Sequence, residues 1–322
     1  MKTIVTDYSF PDLGIESGII ESAGHQLTAW KERRSPAELR ELVADADAVI
    51  TQFAPVNAEV IAAMSRARVI VRYGIGVDNV DLAAARDRGI PVCNVPDYCI
   101  DEVADHTLAF LLAVTRQVVP NTLHVRNGSW GLATPLNSLQ TLKNLTVGVV
   151  GFGRIGREVA ARLRAFRCRM LVFDPMVPAD TVLAAGGEPV SLQHLLEQSD
   201  AITLHCPSTP ETRGLINSES LKITKPGAIL VNLARGDLVE PQALLEALQS
   251  GHISAAALDV FSPEPIPPGH PILSLPQVVL ASHIASASVP AVRRLRETAA
   301  GLALAALEGR PLANIVNGVR PS

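Results

Sequence analysis

Gly151-Phe152-Gly153-Arg154-Ile155-Gly156 is the stretch on which the fold of this chain turns. It follows an apolar run, Leu145 to Val150, and opens a helical pattern with Ile155, Val159, Leu163 and Phe166 on one face. A second apolar run, Met170 to Phe173, then ends in Asp174. Strand, glycine turn, helix, strand and acid form the order that a dinucleotide site requires. Gly151 permits a tight turn, Gly153 lets backbone approach a pyrophosphate, and Gly156 lets the helix pack close to the strand. The helix N-terminus adds N–H groups and the positive end of its dipole. Asp174 stands where a carboxylate would accept hydrogen bonds from the adenosine ribose and repel a 2′-phosphate, which favours NAD over NADP. It also reads as a turn residue before Pro175.

At 322 residues the chain is long enough for two domains and a large buried core. A formal net charge of −4, with no long basic block, gives nucleic-acid binding no electrostatic support. The four cysteines, Cys93, Cys99, Cys168 and Cys206, form no CxxC pair and suit a reducing compartment. Met1-Lys2-Thr3-Ile4-Val5 enters a strand pattern without a signal-peptide core. The longest apolar stretches, Leu108 to Val114 and Leu302 to Leu307, are too short to cross a bilayer. The expectation is a soluble, cytoplasmic protein without a membrane partner.

Strand and helix signals alternate from end to end, which implies an α/β fold with mainly parallel sheets. In the first series, Ile4-Val5, Ala48 to Thr51, Val69 to Val71 and Pro91 to Val95 read as strands. Ser35-Pro36-Ala37-Glu38 reads as a capping box with proline at the first helical position. A long helix over about Asp101 to Val119 carries Val103, Thr107, Leu111 and Thr115 on one face, until Pro120 breaks it. Alternation resumes with strands at 146–150, 170–173, 201–205, 228–232, 255–259 and 278–281. A second long helix, about Pro290 to Glu308, ends at Gly309. Two long helices bracketing the glycine-turn unit imply a discontinuous domain, 1–99 with 289–322, around a nucleotide domain of 100–288. A cleft between them would hold cofactor and substrate.

Chemistry on a carbonyl with a nicotinamide needs a proton donor and, for an acid substrate, a cationic anchor. In an open α/β sheet both belong just past the carboxyl ends of strands. Arg235, after Val231-Asn232-Leu233-Ala234, has a planar fork that can grip a carboxylate with two parallel hydrogen bonds; it also reads as a surface arginine capping a turn. His283, after Leu280-Ala281-Ser282, can exchange a proton with a ketone or alcohol oxygen near neutral pH. Glu264, in Phe261-Ser262-Pro263-Glu264-Pro265, would favour the imidazolium and fix the ring's tautomer; alone it is an ordinary loop acid. His205 ends another strand but lies nearer the glycine turn, so it reads as structural or cofactor-adjacent. His106 reads as a packed helix histidine, and His25, His124, His194, His252 and His270 have no supporting pattern. No metal set is expected, because HExxH is absent and the histidines and cysteines are scattered.

At Arg235, Glu264 and His283 the chain resembles the D-isomer-specific 2-hydroxyacid dehydrogenases. The resemblance runs nearly the full length, through Arg72-Tyr73-Gly74-Ile75-Gly76-Val77-Asp78-Asn79-Val80-Asp81, the glycine turn, Leu204-His205-Cys206-Pro207, Asn232 to Gly236, Asp259-Val260 and Ser282-His283-Ile284-Ala285. It implies two Rossmann-like parallel-sheet domains, the substrate domain flavodoxin-like, and NAD as cofactor. It makes His283 the acid/base, Glu264 its hydrogen-bond partner and Arg235 the anchor of the substrate carboxylate. The substrate loop would be Arg72, Tyr73, Gly74, Ile75 and Gly76, with the backbone N–H groups of Gly74, Ile75 and Gly76 on the carboxylate. Asp259 would hold the nicotinamide carboxamide with Thr107 nearby. Arg154 and Ile155 would cover the pyrophosphate, and His205, Cys206 and Pro207 would line the cofactor. A homodimer joined through the nucleotide domains, with the segment around 100–140 embracing the partner, is also implied.

Two subgroups look nearest, the phosphoglycerate dehydrogenases and the C-terminal-binding-protein group. Cys93-Asn94-Val95-Pro96-Asp97-Tyr98-Cys99 resembles bacterial relatives of the latter. Ser286 follows Ala285, where the animal corepressors of that group carry a tryptophan shortly after the histidine. No regulatory domain for serine is expected after the returning helix. The expected activity is NAD-dependent oxidation of a D-2-hydroxy acid or reduction of a 2-keto acid, with 3-phosphoglycerate, glyoxylate and hydroxypyruvate as candidate substrates. The rival expectation is an NADH-sensing binding protein that uses catalysis little.

Overall fold

The apolar runs become strands of two parallel sheets in a computed structural model that describes residues 1–320. The chain divides into two compact units, one of Met1–Tyr98 with the segment from Ser288 onward, the other of Cys99–Ala287. In the first unit the elements run β1 (Lys2–Val5), α1 (Gly14–Ile20), β2 (Gln26–Ala29), α2 (Pro36–Val43), β3 (Ala48–Thr51), α3 (Ala58–Ala63), β4 (Ile70–Arg72), α4 (Leu82–Asp87) and β5 (Val92–Cys93). Their order across the sheet is β2-β1-β3-β4-β5, the flavodoxin-like order. Ile4, Val49, Ile70 and Val92 bury one face against Leu39 and Val43 of α2 and Val60 and Ile61 of α3. Ser35 caps α2 in a full capping box, its hydroxyl accepting from Glu38 N–H while Glu38 accepts from Ser35 N–H.

The second unit starts with α5 (Ile100–Thr115) and α6 (Val118–Arg126). It continues through β6 (Thr146–Val150), α7 (Arg154–Phe166), β7 (Arg169–Phe173), α8 (Ala179–Ala184), β8 (Glu188–Pro189), α9 (Leu192–Gln198) and β9 (Ala201–Leu204). Then come α10 (Ser218–Lys222), β10 (Ala228–Asn232), α11 (Pro241–Gln249), β11 (Ile253–Leu258) and β12 (Val278–Leu280). The sheet order is β12-β11-β10-β9-β6-β7-β8. This is the doubly wound nucleotide-binding order with a seventh strand, and it reverses between β6 and β9. The helix α12 (Val289–Leu307) belongs to the first unit.

Several expectations need correction. The long helix ends at Thr115; Gln117 takes a left-handed φ of 53°, and α6 then starts at Val118. Pro120 does not break a helix. It sits in the first turn of α6, where a missing N–H leaves no hydrogen bond unmade. Phe166 is 38% exposed, and the buried face of α7 is Gly156, Val159, Ala160 and Leu163. The strand expected over Pro91 to Val95 is ordered as β only at Val92–Cys93. β2 and β8 have no counterpart in the sequence reading; both are short edge strands without a fully buried residue, so neither carries an apolar run.

Candidate active site

The glycine turn sits between β6 and α7, at the point where the sheet order reverses. Each glycine there has a different physical reason. Gly151 has φ +94°, and a Cβ on it would lie 2.6 Å from Cys206 N and 2.6 Å from the His205 carbonyl carbon. A Cβ on Gly156 would lie 2.1 Å from the Gly151 oxygen, so only glycine lets α7 approach the turn. A Cβ on Gly153 would meet nothing within 4 Å. That open side is where a pyrophosphate fits, against an α7 N-terminus that no side chain caps. Arg154 is exposed and Ile155 half-buried on the first turn of that helix.

Asp174 follows β7 and is the turn residue that one reading of the sequence made it, and it also braces the glycine turn. Its Oδ2 accepts from Phe152 N–H at 2.7 Å, which holds the glycine turn, and Oδ1 accepts from Met176 N–H at 2.8 Å in the turn past Pro175. Each oxygen keeps a lone pair for a ribose hydroxyl. Thr107 is fully buried and its hydroxyl donates to Val103 O, 2.8 Å away in the same helix. His205 and Cys206 are half-buried after β9, with Pro207 exposed. His205 Nε2 lies 2.9 Å from Thr203 Oγ1, and burial pushes the imidazole down to about 4. It is therefore neutral near pH 7. Burial likewise pushes the Cys206 thiol up to about 11.

Arg235, Glu264 and His283 all follow the carboxyl ends of neighbouring strands, β10, β11 and β12. An acid or amide at the end of a strand shapes two of the three loops. Asn232 closes β10: its Oδ1 accepts from Ala234 N–H at 3.0 Å and its Nδ2 donates to Arg235 O at 2.8 Å. Asp259 follows β11 and accepts from Ile284 N–H through Oδ1 at 2.8 Å and from Ala285 N–H through Oδ2 at 2.9 Å. Its carbonyl accepts from His283 N–H at 2.8 Å. Three hydrogen bonds thus fix His283 at a left-handed φ of 58°. Asp259 is only 1% exposed, so its carboxylate serves this loop before any cofactor. Asn232 also accepts Asp259 N–H at 3.0 Å through its own carbonyl, which ties the two loops together.

His283 Nδ1 lies 2.9 Å from Glu264 Oε2, and Glu264 Oε1 accepts from Phe261 N–H at 2.8 Å. Burial works against the Glu264 charge, but the hydrogen bond and charge of His283, the Phe261 amide and the charge of Arg235 outweigh it. The carboxyl is held below its usual range and stays ionised. Gly236 makes the three loops compact, because a Cβ there would lie 1.9 Å from the Phe261 oxygen. The Glu264 loop rests directly on the backbone that follows Arg235. Sequence reasoning singled out the three side chains but gave Asn232 no part in the framework; an Asx at a strand end was the available signal.

The substrate-loop candidates lie in the first unit, after β4. Gly74 has φ +148°, and a Cβ on it would overlap the Arg72 guanidinium at 1.4 Å from Nη1. The Gly74 carbonyl accepts from Val95 N–H at 3.0 Å and the Ile75 carbonyl from Asn94 Nδ2 at 2.6 Å. The N–H groups of Ile75 and Gly76 have no acceptor among the described residues. A loop with its carbonyls spent and two amides open is a nest for an anion. Tyr73 departs from expectation: it is 1% exposed and its hydroxyl donates to Glu16 inside the unit, so its side chain is no substrate ligand. Among the described residues no His, Cys, Asp and Glu group is arranged to hold a metal ion, and no helix is long and apolar enough to cross a membrane.

The chain is similar to known proteins in both sequence and fold. Residues 108–285 match the model of the D-isomer specific 2-hydroxyacid dehydrogenase NAD binding domain. A glyoxylate reductase of Korarchaeum cryptofilum is 40% identical over 94% of this chain and 93% of its own. A D-3-phosphoglycerate dehydrogenase of Mycobacterium leprae is 40% identical over 92% of this chain, which spans 56% of that longer protein. The crystal structure of the TT0316 protein from Thermus thermophilus superposes with a TM-score of 0.86 at 40% identity, covering 98% of this chain and 100% of the other.

Proposed function

The chain belongs to the D-isomer specific 2-hydroxyacid dehydrogenase family, a family of NAD-dependent oxidoreductases, and on that premise we propose that it interconverts a small 2-keto acid and its 2-hydroxy acid. The observation that carries the reading is the His283–Glu264 pair, held at a left-handed backbone position by Asp259 and set beside Arg235. NAD fits the glycine turn, the open side of Gly153 and Asp174, and when bound it would supply or accept the hydride. Glu264 engages Nδ1 of His283, so proton exchange with the substrate oxygen falls to Nε2. In reduction His283 gives its proton to the oxygen that gains negative charge; in oxidation neutral His283 takes the hydroxyl proton. Arg235 anchors the carboxylate; within the first unit, the open amides of Ile75 and Gly76 form a nest of the kind that takes a carboxylate.

Glyoxylate is the substrate proposed first, in line with the glyoxylate reductase that this chain matches over nearly its whole length, with hydroxypyruvate as a further candidate. Loss of NADH absorbance with a panel of glyoxylate, hydroxypyruvate and pyruvate, and its gain with NAD and 3-phosphoglycerate, tests the assignment. His283→Ala is expected to lower kcat by about 10²-fold or more while NADH affinity stays near wild type. Retained turnover in the variant would remove the acid/base role. No turnover by the wild type on any substrate, with tight NADH binding, would favour an NADH-sensing protein instead. The reading includes a homodimer. α6 buries none of its residues, and Leu123, Val125, Trp130 and Leu136 are all exposed, an apolar stretch that a second copy would cover.

A further inference from the structure

Glu16 is a fully buried carboxylate, and no step assigned above uses it. It lies on α1, and its partner Arg296 is 280 residues away on α12. Arg296 Nε donates to Oε1 at 2.9 Å and Nη2 to Oε2 at 2.7 Å, a two-point grip. Nη2 also reaches Asp12 O at 2.8 Å. Glu16 Oε1 accepts a third hydrogen bond, from the Tyr73 hydroxyl at 3.0 Å. The Phe10 ring packs edge-on to Tyr73 at 5.2 Å between centroids, and Arg296 lies over the same Phe10 ring at 5.1 Å. Burial, then the Glu16 charge, raise the Tyr73 hydroxyl well above its ordinary range, so it remains a donor.

Buried ion pairs return little stability for their desolvation, but a fully satisfied polar network fixes one geometry. The geometry fixed here is that of the residue before Gly74. Tyr73 is tethered at its hydroxyl by Glu16 and at its N–H by Thr51 O, 2.8 Å away. On the far side the loop is held by Asn94 and Val95. Between these anchors lie the open amides of Ile75 and Gly76.

We propose that Arg296, Glu16 and Tyr73 form a positioning relay that sets the Gly74–Gly76 loop for the carboxylate of the substrate. Tyr73 is a positioning residue and touches no substrate. The inference rests on the reading of that loop as a carboxylate site. Tyr73→Phe keeps the ring packing on Phe10 and deletes one hydrogen bond. It is expected to raise KM for the keto acid about tenfold, with kcat and NADH affinity near wild type. Arg296→Lys, which cannot make the two-point grip, is expected to do the same. Asn94→Ala, which releases the loop from its other side, separates the two ideas. If Asn94→Ala raises KM and Tyr73→Phe only lowers Tm, the loop binds the acid but the relay does not position it, and the proposal is overturned. If neither variant moves KM, the loop reading fails and the relay falls with it.

Discussion

Asp259 binds the N–H groups of Ile284 and Ala285 through two separate oxygens, and a carboxylate of that length offers two acceptors and no donor. Asp259→Asn would turn an NH₂ group toward one of those amides, so one hydrogen bond becomes a repulsive donor pair. The His283 loop would drift from its left-handed position. A misplacement of about 1 Å costs about 10²-fold in kcat/KM when reacting groups must align. NADH affinity, read by fluorescence titration, is expected to stay close to wild type, because the carboxylate serves the loop. A large rise in the NADH Kd with kcat preserved would instead support the nicotinamide role that the family resemblance gives it.

His205 makes a second prediction at this scale. Its folded imidazole titrates at about 4, against an ordinary value near 6.5. Between those values the unfolded chain binds a proton that the folded chain refuses, so stability falls as pH drops from about 6.5 to 4 and is unaffected above. The loss is at most roughly 3 kcal/mol. Urea titrations across that window should show a shallower decline for His205→Gln than for wild type; equal slopes would mean the imidazole is not desolvated. The sequence disclosed Arg235, Glu264 and His283 because each follows a strand end in a local pattern. Glu16 and Arg296 were invisible there, since no local period links residues so far apart, and a buried charge looks like a surface one until its partner is known.

At the scale of elements the glycine turn separates folding from binding. Gly156 and Gly153 look alike in sequence, yet a methyl group at Gly156 would strike the Gly151 carbonyl and one at Gly153 would strike nothing. Gly156→Ala must push α7 off β6, so both Tm and NADH affinity are expected to fall. Gly153→Ala has a φ of −71° that alanine adopts freely, so Tm should hold within about 2 °C while the NADH Kd rises about tenfold or more. Thermal melts with and without NADH check both. A Gly153→Ala variant that binds NADH normally would place the pyrophosphate elsewhere. α7 has a further anchor in Arg162, which reaches Asp101 and Asp105 on α5 as well as Glu158 in its own helix. The alternation of elements was legible because buried parallel strands are apolar runs. Edge strands β2 and β8 were not, and neither was the stop after Thr115, which depends on the left-handed Gln117 and not on Pro120.

For the whole molecule, the open question is what covers α6. A nine-residue helix with no fully buried side chain has little tertiary packing to hold it, and isolated helices of that length are marginal in water. Val118, Leu123 and Val125 are each about half exposed, and Trp130 in the following loop is 91% exposed. A second copy of the chain would bury these residues against an isologous patch, each subunit presenting the same face to the other. Light scattering coupled to gel filtration is expected to give twice the chain mass at micromolar concentration. Leu123→Lys places a charge where the partner would sit, at a residue outside the buried core, so it should yield a folded monomer with its far-ultraviolet spectrum intact. Because assembly stabilises by mass action, the wild-type Tm should rise with protein concentration and that of the variant should not. A wild type that runs as a monomer, with a Tm independent of concentration, would leave α6 without this explanation and overturn the dimer.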